Sequence, residues 1–157
     1  MTEKHIKQIE KIAKEIWHEH YIPIIGEEQV SYMLEKFNSE RAITRNIKLD
    51  GDSYYLIEAA DKVIGYIGIK LQANELFLNK LYVHSSQRGQ GIGKQAMVFL
   101  KQLATNSHCS KIVLRVNKYN SNSIAAYHKF GFITMSEDVA DIGNGYFMDD
   151  YIMELIL

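Results

Sequence analysis

The sequence predicts a mixed α/β (α+β) fold in which a mostly antiparallel central sheet is flanked by helices on both faces. Two patterns carry this prediction. Apolar residues recur at helical spacing in several segments, and β-branched and aromatic residues cluster in others that are bounded by turn residues. The chain has 157 residues, 46% of them hydrophobic and 24% charged, which is the size and composition of one ordinary globular domain. We therefore expect residues 1–157 to form a single domain.

The first third of the chain is predicted to be helical. Ile6, Ile9, Ile12, Ala13, Ile16 and Trp17 lie at helical spacing, so residues 3–20 predict an amphipathic helix. Pro23 is expected to break the chain after this helix. Residues 27–37 and 39–47 predict two further short helices.

Strands follow the turn signal at Asp50-Gly51. Residues 53–60 and 62–71 predict a hairpin across Asp61, because both arms are rich in β-branched and aromatic residues. Residues 74–84 predict the next strand.

The last 65 residues predict alternating helices and strands. After a glycine-rich loop, one helix has a buried stripe that includes Ile92, Phe99 and Leu103. A central strand is expected at 111–116, and a helix at 121–130 that begins near Asn and Ser cap candidates and stops at Gly131. Strands at 132–136 and 146–156 complete the predicted sheet. The loop before the first of these helices carries the strongest functional signal.

That loop, Gln87-Arg88-Gly89-Gln90-Gly91-Ile92-Gly93, lies between a predicted strand and a predicted helix. Glycines allow positive φ and close approach of a ligand to the backbone, and a helix N-terminus offers free N–H groups. The combination predicts a phosphate site, to which Arg88 adds a permanent charge.

Two known nucleotide-binding sequence patterns do not match the residues of this loop. The Rossmann pattern needs Gly-x-Gly-x-x-Gly and an acidic residue near position 110, whereas the glycines here alternate and residues 99–116 contain no Asp or Glu. The P-loop pattern needs Ser or Thr after Gly-Lys, and Gln95 stands there.

The loop instead resembles the Gln/Arg-x-x-Gly-x-Gly/Ala pyrophosphate loop of acetyl-coenzyme A in the GNAT superfamily of N-acetyltransferases. The segment from Asn120 through Tyr127 to Gly131-Phe132 is similar to the second signature of that family, and both motifs stand in the family's order and distance. The resemblance spans roughly residues 53–155 and implies the GNAT-like fold and transfer of an acetyl group to an amine.

The resemblance also implies site residues. Tyr127 occupies the position of the general acid that faces the coenzyme A sulfur, and a phenol of pKa ~10 suits protonation of a departing thiolate. The residues implied to bind the cofactor are Leu81, Tyr82, Val83, Gln87, Arg88, Gly89, Gln90, Gly91, Ile92, Gly93, Lys94 and Asn120.

The sequence does not identify the residue that acts as the general base. Asn79 stands where many family members carry a glutamate, and an amide cannot accept a proton at neutral pH. Either a water relays the proton or a carboxylate elsewhere accepts it; the candidates are Glu27, Glu28, Glu75, Asp149 and Asp150.

The acceptor is hinted at by two acidic residues in the last predicted strand. Adjacent strand residues point to opposite faces, so either Asp149 or Asp150 should face the covered side of the sheet or a cleft. The C-terminal segment resembles that of the polyamine-type members of the superfamily. Asp149, Asp150 and Glu27 are therefore candidate contacts for a cationic amine.

Bulk properties set further expectations. The net charge of −1 gives no basic field for nucleic acid, and no run reaches the ~18 apolar residues of a membrane helix. His18 and His20 point to different sides of a helix, and no metal site is expected. The single cysteine, Cys109, and the absence of a signal peptide favour the cytoplasm. The apolar C-terminal strand allows a homodimer.

Three alternatives remain open from the sequence. The acceptor is a protein N-terminus or lysine in one of them. In another, the chain is a non-catalytic acyl-coenzyme A-binding module, which the absent glutamate at position 79 motivates. In the third it binds a nucleotide, in which case ATP or NAD, and not acetyl-coenzyme A, would raise the melting temperature.

Overall fold

The computed structural model describes residues 1–157. Five α-helices and six strands follow one another in the chain, with a π-helical turn at Asn46–Asp50 and a 3₁₀ turn at Ser85–Gln87. In chain order the helices and strands are α1 (Glu3–Ile25), α2 (Glu27–Asn38), α3 (Glu40–Arg45), β1 (Ser53–Ala59), β2 (Lys62–Gln72), β3 (Glu75–Val83), α4 (Ile92–Asn106), β4 (Lys111–Asn117), α5 (Ser121–Lys129), β5 (Ile133–Gly143) and β6 (Tyr146–Ile156).

The strands form one sheet in the order β1-β2-β3-β4-β6-β5. The pairs β1–β2, β4–β6 and β5–β6 are antiparallel, whereas β3 and β4 are parallel. The predicted mixed and mostly antiparallel sheet is confirmed, and β4 is central in it. None of the helices combines the length and the apolar character that crossing a bilayer requires.

The chain divides into two compact units. The first comprises residues 1–70 and 80–93. In it α1 packs on α2 and α3, and the apolar stripe of α1 is buried as the sequence predicts, with Ile9 and Ala13 at 0% exposure. The β1–β2 hairpin turns at Ala60 and Asp61, which have φ of 48° and 61°. Positive φ at both central residues matches the right-handed twist of the strands.

The second unit comprises residues 71–79 and 94–157. Ile112, Leu114 and Met153 from β4 and β6 are at most 1% exposed and form its core. Phe132 is equally buried, directly after Gly131, whose φ of +102° ends the α5 segment as predicted.

Three predictions about elements were wrong. Pro23 does not break the first helix, which continues to Ile25 and ends before Gly26; a proline in the last turn removes only one hydrogen bond. Phe99 is 40% exposed and lies off the buried stripe of α4, where Met97 is buried instead. The strand expected to end at Ser136 extends to Gly143, because β6 pairs with it as far as Tyr146.

Candidate functional site

The glycine-rich loop has the backbone of an anion site. After the 3₁₀ turn at Ser85–Gln87, Gly89 and Gly91 both adopt φ of +77°, and α4 begins at Ile92. A Cβ added at either glycine would meet nothing within 4 Å. The chain therefore leaves open space around a left-handed backbone immediately before a helix N-terminus, where N–H groups and the helix dipole favour a negative charge.

Arg88 is exposed and folds back toward the strand that precedes the loop. Its Nε donates to the carbonyl oxygen of Val83 at 3.2 Å. The terminal guanidinium nitrogens make no hydrogen bond within the chain, so they are available to a ligand. One contact thus orients the guanidinium while its charge faces solvent.

The root of the loop is fixed by α1. Ser85 Oγ donates to both carboxylate oxygens of Glu19, at 2.8 and 2.7 Å. His84 Nε2 lies 3.7 Å from the Glu15 carboxylate one helical turn earlier. The backbone N–H of Ser86 donates to His84 Nδ1 at 3.2 Å, so in a neutral ring the proton is on Nε2 and faces Glu15. No local pattern in the sequence indicates the contacts with Glu19 and Glu15, because these residues lie 66 and 69 positions before their partners.

Tyr82, which precedes the loop on β3, sits in an aromatic cluster. Its ring centroid lies 5.6 Å from that of Trp17, 6.3 Å from that of Tyr21 and 5.3 Å from that of Tyr66. Tilted and edge-on pairs at these distances stabilise beyond their buried area. The cluster holds the end of β3 to α1, in addition to the contacts of Glu15 and Glu19.

The end of β3 lies outside the ladder with β4. The parallel register pairs Glu75–Leu78 with Lys111–Leu114, whereas β3 continues to Val83. Asn79–Val83 therefore contributes backbone groups that this ladder does not use. Leu81, Tyr82 and Val83, the strand residues that the resemblance assigns to the cofactor, belong to this segment.

Lys80, in the same segment, was not singled out by the sequence. It is 6% exposed, and its Nζ lies 5.8 Å from the ring centre of Tyr54. No carboxylate lies within 4 Å of its Nζ. Burial lowers the pKa of Lys80 to about 8, and the charge of Asp52 opposes this shift. Burial likewise raises the pKa of Tyr54 to about 12.

The second motif lies in the second unit. Asn120 is 3% exposed and stands at the N-cap of α5, where its side chain makes no capping bond, although its carbonyl accepts from Ile124 at 3.0 Å. Tyr127 is half-buried, and its ring meets Phe132 edge-on with centroids 5.5 Å apart. Phe132 thus holds the phenol ring that the resemblance assigns to proton transfer.

The two C-terminal aspartates differ as the strand pattern predicts. Asp150 is 2% exposed and lies 3.3 Å from Arg115 Nε, and Arg115 Nη2 also lies 2.7 Å from Asp138. Burial raises the pKa of Asp150, and Arg115 opposes this shift. Asp149 is more exposed and lies 2.9 Å from Lys118 Nζ, which also contacts Glu137. Both candidate amine contacts are therefore already paired with cations.

The other carboxylate candidates also differ in their pairing. Glu75 lies 3.6 Å from Lys111, which has a closer partner, Glu154, at 2.8 Å. Glu27 and Glu28 are exposed at the start of α2 and form no ion pair within the chain. Glu27 and Glu28 are thus the sequence-predicted carboxylates that no cation of the chain neutralises.

Comparison with known proteins identifies the family of this fold. The model of the GNAT acetyltransferase family matches residues 9–132. The chain belongs to this family and is an N-acetyltransferase by class. It is 27% identical over 135 residues to the spermidine N(1)-acetyltransferase of Thermoplasma acidophilum, covering 83% of this chain and 84% of the relative.

Solved structures show the same fold. The PaiA N-acetyltransferase of Thermoplasma acidophilum, solved in complex with coenzyme A, superposes with a TM-score of 0.82 at 21% identity, covering 100% of this chain and 96% of the other. Ard1 of Thermoplasma volcanium superposes with a TM-score of 0.74 at 18% identity, covering 100% and 94%. At these identities the likeness establishes the fold alone.

Proposed function

We propose that residues 1–157 act as one domain that transfers the acetyl group of acetyl-coenzyme A to a primary amine of a small molecule. A polyamine is the first acceptor to test, because the relative from Thermoplasma acidophilum is a spermidine N(1)-acetyltransferase. The observation that carries the proposal is the loop in which Gly89 and Gly91 share a φ of +77° before the start of α4.

The residues of the loop fit the diphosphate of the cofactor. The open space at Gly89 and Gly91 allows phosphate oxygens to approach the backbone N–H groups. Arg88 offers its terminal nitrogens as charge-assisted donors, and Gln87, Gln90, Ile92, Gly93 and Lys94 complete the loop. Acetyl-coenzyme A itself supplies the activated thioester.

The strand and the second motif supply the remaining groups. The backbone of Leu81, Tyr82 and Val83 lies outside the β3–β4 ladder and would orient the acyl end of the cofactor. Tyr127 would hold its proton at the phenol oxygen until the thiolate leaves, and Asn120 would contact the cofactor beside it. The edge-on contact with Phe132 fixes the ring for this role.

For the acceptor amine we favour Glu27 over the C-terminal aspartates. Asp149 and Asp150 lie in ion pairs with Lys118 and Arg115, so a second cation would have to compete with a cation of the chain. Glu27 has no such partner, so an ammonium group would meet no competing cation of the chain there. Asn79 cannot take the proton of that ammonium, so a carboxylate or a water must do so.

The proposal is tested by thiol release from acetyl-coenzyme A with the purified chain and a panel of acceptors. The panel comprises spermidine, spermine, aminoglycosides, amino acids and peptides with free N-termini. We expect turnover with spermidine or another small amine. Turnover with the peptides alone would contradict a small-molecule acceptor and indicate acetylation of protein N-termini. A melting temperature that rises with ATP or NAD and not with acetyl-coenzyme A would overturn it.

A further inference from the structure

Gly65, which is buried in β2, lies at a close approach between the backbones of β2 and β3. A Cβ built at Gly65 would collide with the carbonyl oxygen of Tyr82 and would lie 3.2 Å from the Cα of Val83. A side chain can rotate away from such a collision, whereas a backbone carbonyl moves only with its strand. Position 65 therefore accepts only glycine while the Tyr82–Val83 peptide keeps its place.

The strand β2 is also irregular at this point. Its pairing with β1 shifts register between Ile57 and Glu58, which leaves Ile64 as an extra, bulged residue next to Gly65. Bulges bend a strand and re-aim the groups beside them. The carbonyl oxygen of Ile64 accepts from the N–H of His84 at 2.7 Å. The bulge and the missing side chain thus act on the same stretch of β3.

These contacts determine which way the Tyr82–Val83 peptide faces. Its carbonyl oxygen lies against Gly65, and the chain has no cis peptide bond, so the N–H of Val83 points away from β2. Successive residues of a strand present their N–H and C=O groups to opposite sides. The neighbouring groups agree: the N–H of His84 faces β2, whereas the carbonyl oxygen of Val83 accepts from Arg88 Nε at 3.2 Å.

The N–H of Val83 therefore faces a side of β3 on which the ladder with β4 has already ended, at Leu78. Val83 is half-buried, and a backbone donor in such a place favours an oxygen acceptor. Arg88 connects this residue to the glycine loop, because its Nε holds the carbonyl oxygen of Val83 and its terminal nitrogens are proposed to bind the diphosphate. The pantetheine arm of coenzyme A begins at that diphosphate and carries amide carbonyl groups, which are acceptors of the required kind.

We propose that Gly65 is a positioning residue for coenzyme A: because it has no side chain, the Tyr82 carbonyl lies against β2 and the N–H of Val83 is directed to a carbonyl oxygen of the pantetheine arm. The proposal rests on the proposed function, since it takes coenzyme A as the ligand. Gly65 itself touches no ligand. Alanine at position 65 would displace the peptide and withdraw one donor from the arm, while the loop that holds the diphosphate stays as it is.

The test separates the arm of the cofactor from its diphosphate. Coenzyme A carries both, whereas 3′-phospho-ADP has the same diphosphate and lacks the arm. Calorimetry with the intact chain gives the preference for coenzyme A over 3′-phospho-ADP as the ratio of their affinities. Gly65→Ala should lower this preference about tenfold, the scale of one hydrogen bond, and leave the affinity for 3′-phospho-ADP unchanged.

Gly68→Ala is the matched control, because Gly68 is also buried in β2. A Cβ at Gly68 would meet Lys80 Cβ and Tyr54 Cε1, both at 3.3 Å, which are side-chain atoms and not the backbone of β3. The variant should keep the wild-type preference for coenzyme A, and thermal unfolding measures the stability of both variants. An equal loss of preference in both would indicate general strain in β2 and overturn the role of Gly65.

A measurement on the wild-type chain tests the proposal even where Gly65→Ala fails to fold. In an isotope-labelled chain, the amide resonance of Val83 should shift and its hydrogen exchange should slow when coenzyme A is added. Neither change should occur with 3′-phospho-ADP, which has no arm. Equal behaviour of the Val83 amide with the two ligands would overturn the proposal.

Acetyl transfer is measured in parallel by initial rates. An unchanged preference for coenzyme A in Gly65→Ala, with intact turnover, refutes the role of Gly65 alone. Loss of the preference in Gly65→Ala, with no turnover of any acceptor by the wild-type chain, supports that role and refutes the proposed transfer alone. No binding of coenzyme A to the wild-type chain refutes both.

Discussion

Ser85 Oγ donates to both carboxylate oxygens of Glu19, at 2.8 and 2.7 Å, and so joins the first residue of the glycine loop's 3₁₀ turn to α1. The bond connects elements that are 66 residues apart in sequence. It places a negative charge at the root of a loop that is proposed to bind an anion. Because the charge of Glu19 would repel an anionic ligand, we infer that the bond to Ser85 serves to fix the loop.

Replacing Ser85 by alanine tests this role. Ser85→Ala should raise the KM for acetyl-coenzyme A severalfold with little change in kcat, because an exposed hydrogen bond to a charged group contributes about 1 kcal/mol. Glu19→Gln keeps an acceptor for the hydroxyl and removes the charge, so it should bind the cofactor at least as well as wild type. Equal KM values for wild type and Ser85→Ala would contradict the role.

The left-handed backbone of the loop gives a second prediction. Gly91→Ala should cost stability by about 1–2 kcal/mol, because φ of +77° disfavours a Cβ, and should also weaken cofactor binding. Gly51 is a matched control: it has φ of +76° and an equally open surrounding. Gly51→Ala should cause a similar loss of stability, measured by thermal unfolding, and leave cofactor affinity unchanged. A loss of affinity in both variants would indicate general destabilisation.

Arg88→Ala should weaken coenzyme A binding by about 1–3 kcal/mol, the scale of a charge-assisted hydrogen bond. The effect should be larger at low ionic strength, where charge interactions are less screened. Titration calorimetry at two salt concentrations measures both. Arg41→Ala on α3, also exposed, is the control. Unchanged affinity in Arg88→Ala would show that the guanidinium does not hold the diphosphate.

Tyr127→Phe should lower kcat by about two orders of magnitude, the usual contribution of a general acid, and leave coenzyme A affinity nearly unchanged. The ring contact with Phe132 survives this change, so the fold is preserved. Steady-state rates as a function of pH provide the measurement. Turnover equal to that of wild type would remove Tyr127 from its proposed role.

Lys80 predicts a pH dependence of stability. Its folded pKa is lowered to about 8 by burial, against about 10.4 in the unfolded chain. Between these values the unfolded state binds more protons, so stability rises as the pH rises from 8 to 10; below pH 8 the cost of burying the charge is present in full.

Lys80→Met should therefore stabilise the chain at pH 7 by about 3 kcal/mol, and this gain should vanish near pH 11. Urea unfolding between pH 7 and pH 11 measures this gain in the free energy of unfolding. The exposed Lys62 on β2 is the control, and Lys62→Met should give no comparable gain at pH 7. A Lys80→Met variant less stable than wild type at pH 7 would mean that the ammonium stabilises the fold.

Local chemistry accounts for the elements that were predicted correctly. The apolar spacing of α1 and the turn at Ala60-Asp61 depend on neighbouring residues, and the structure has both. The glycine loop and the family were predictable for the same reason: the signal lies in a few consecutive residues and their spacing. The pattern also predicts correctly that one of Asp149 and Asp150 is buried.

The errors arise where contacts with distant parts of the chain determine the secondary structure. The second half of β5 contains Glu137, Asp138 and Asp141, which are unfavourable in isolated strands. It forms because β6 pairs with it, and because Lys118 and Arg115 lie 2.8 and 2.7 Å from the first two carboxylates. Pro23 is tolerated because α1 ends two residues later, at Ile25.

The sequence by itself determined the family, the mixed sheet and the position of the glycine-rich loop before α4, because helix periodicity, turn residues and glycine spacing act over a few positions. Only the tertiary structure decided which charges are available. It paired Asp149 and Asp150 with cations, left Glu27 unpaired, buried Lys80, and bound Ser85 to Glu19. Whether a charge is neutralised depends on distances of a few ångströms between distant residues, and these arise only when the chain has folded.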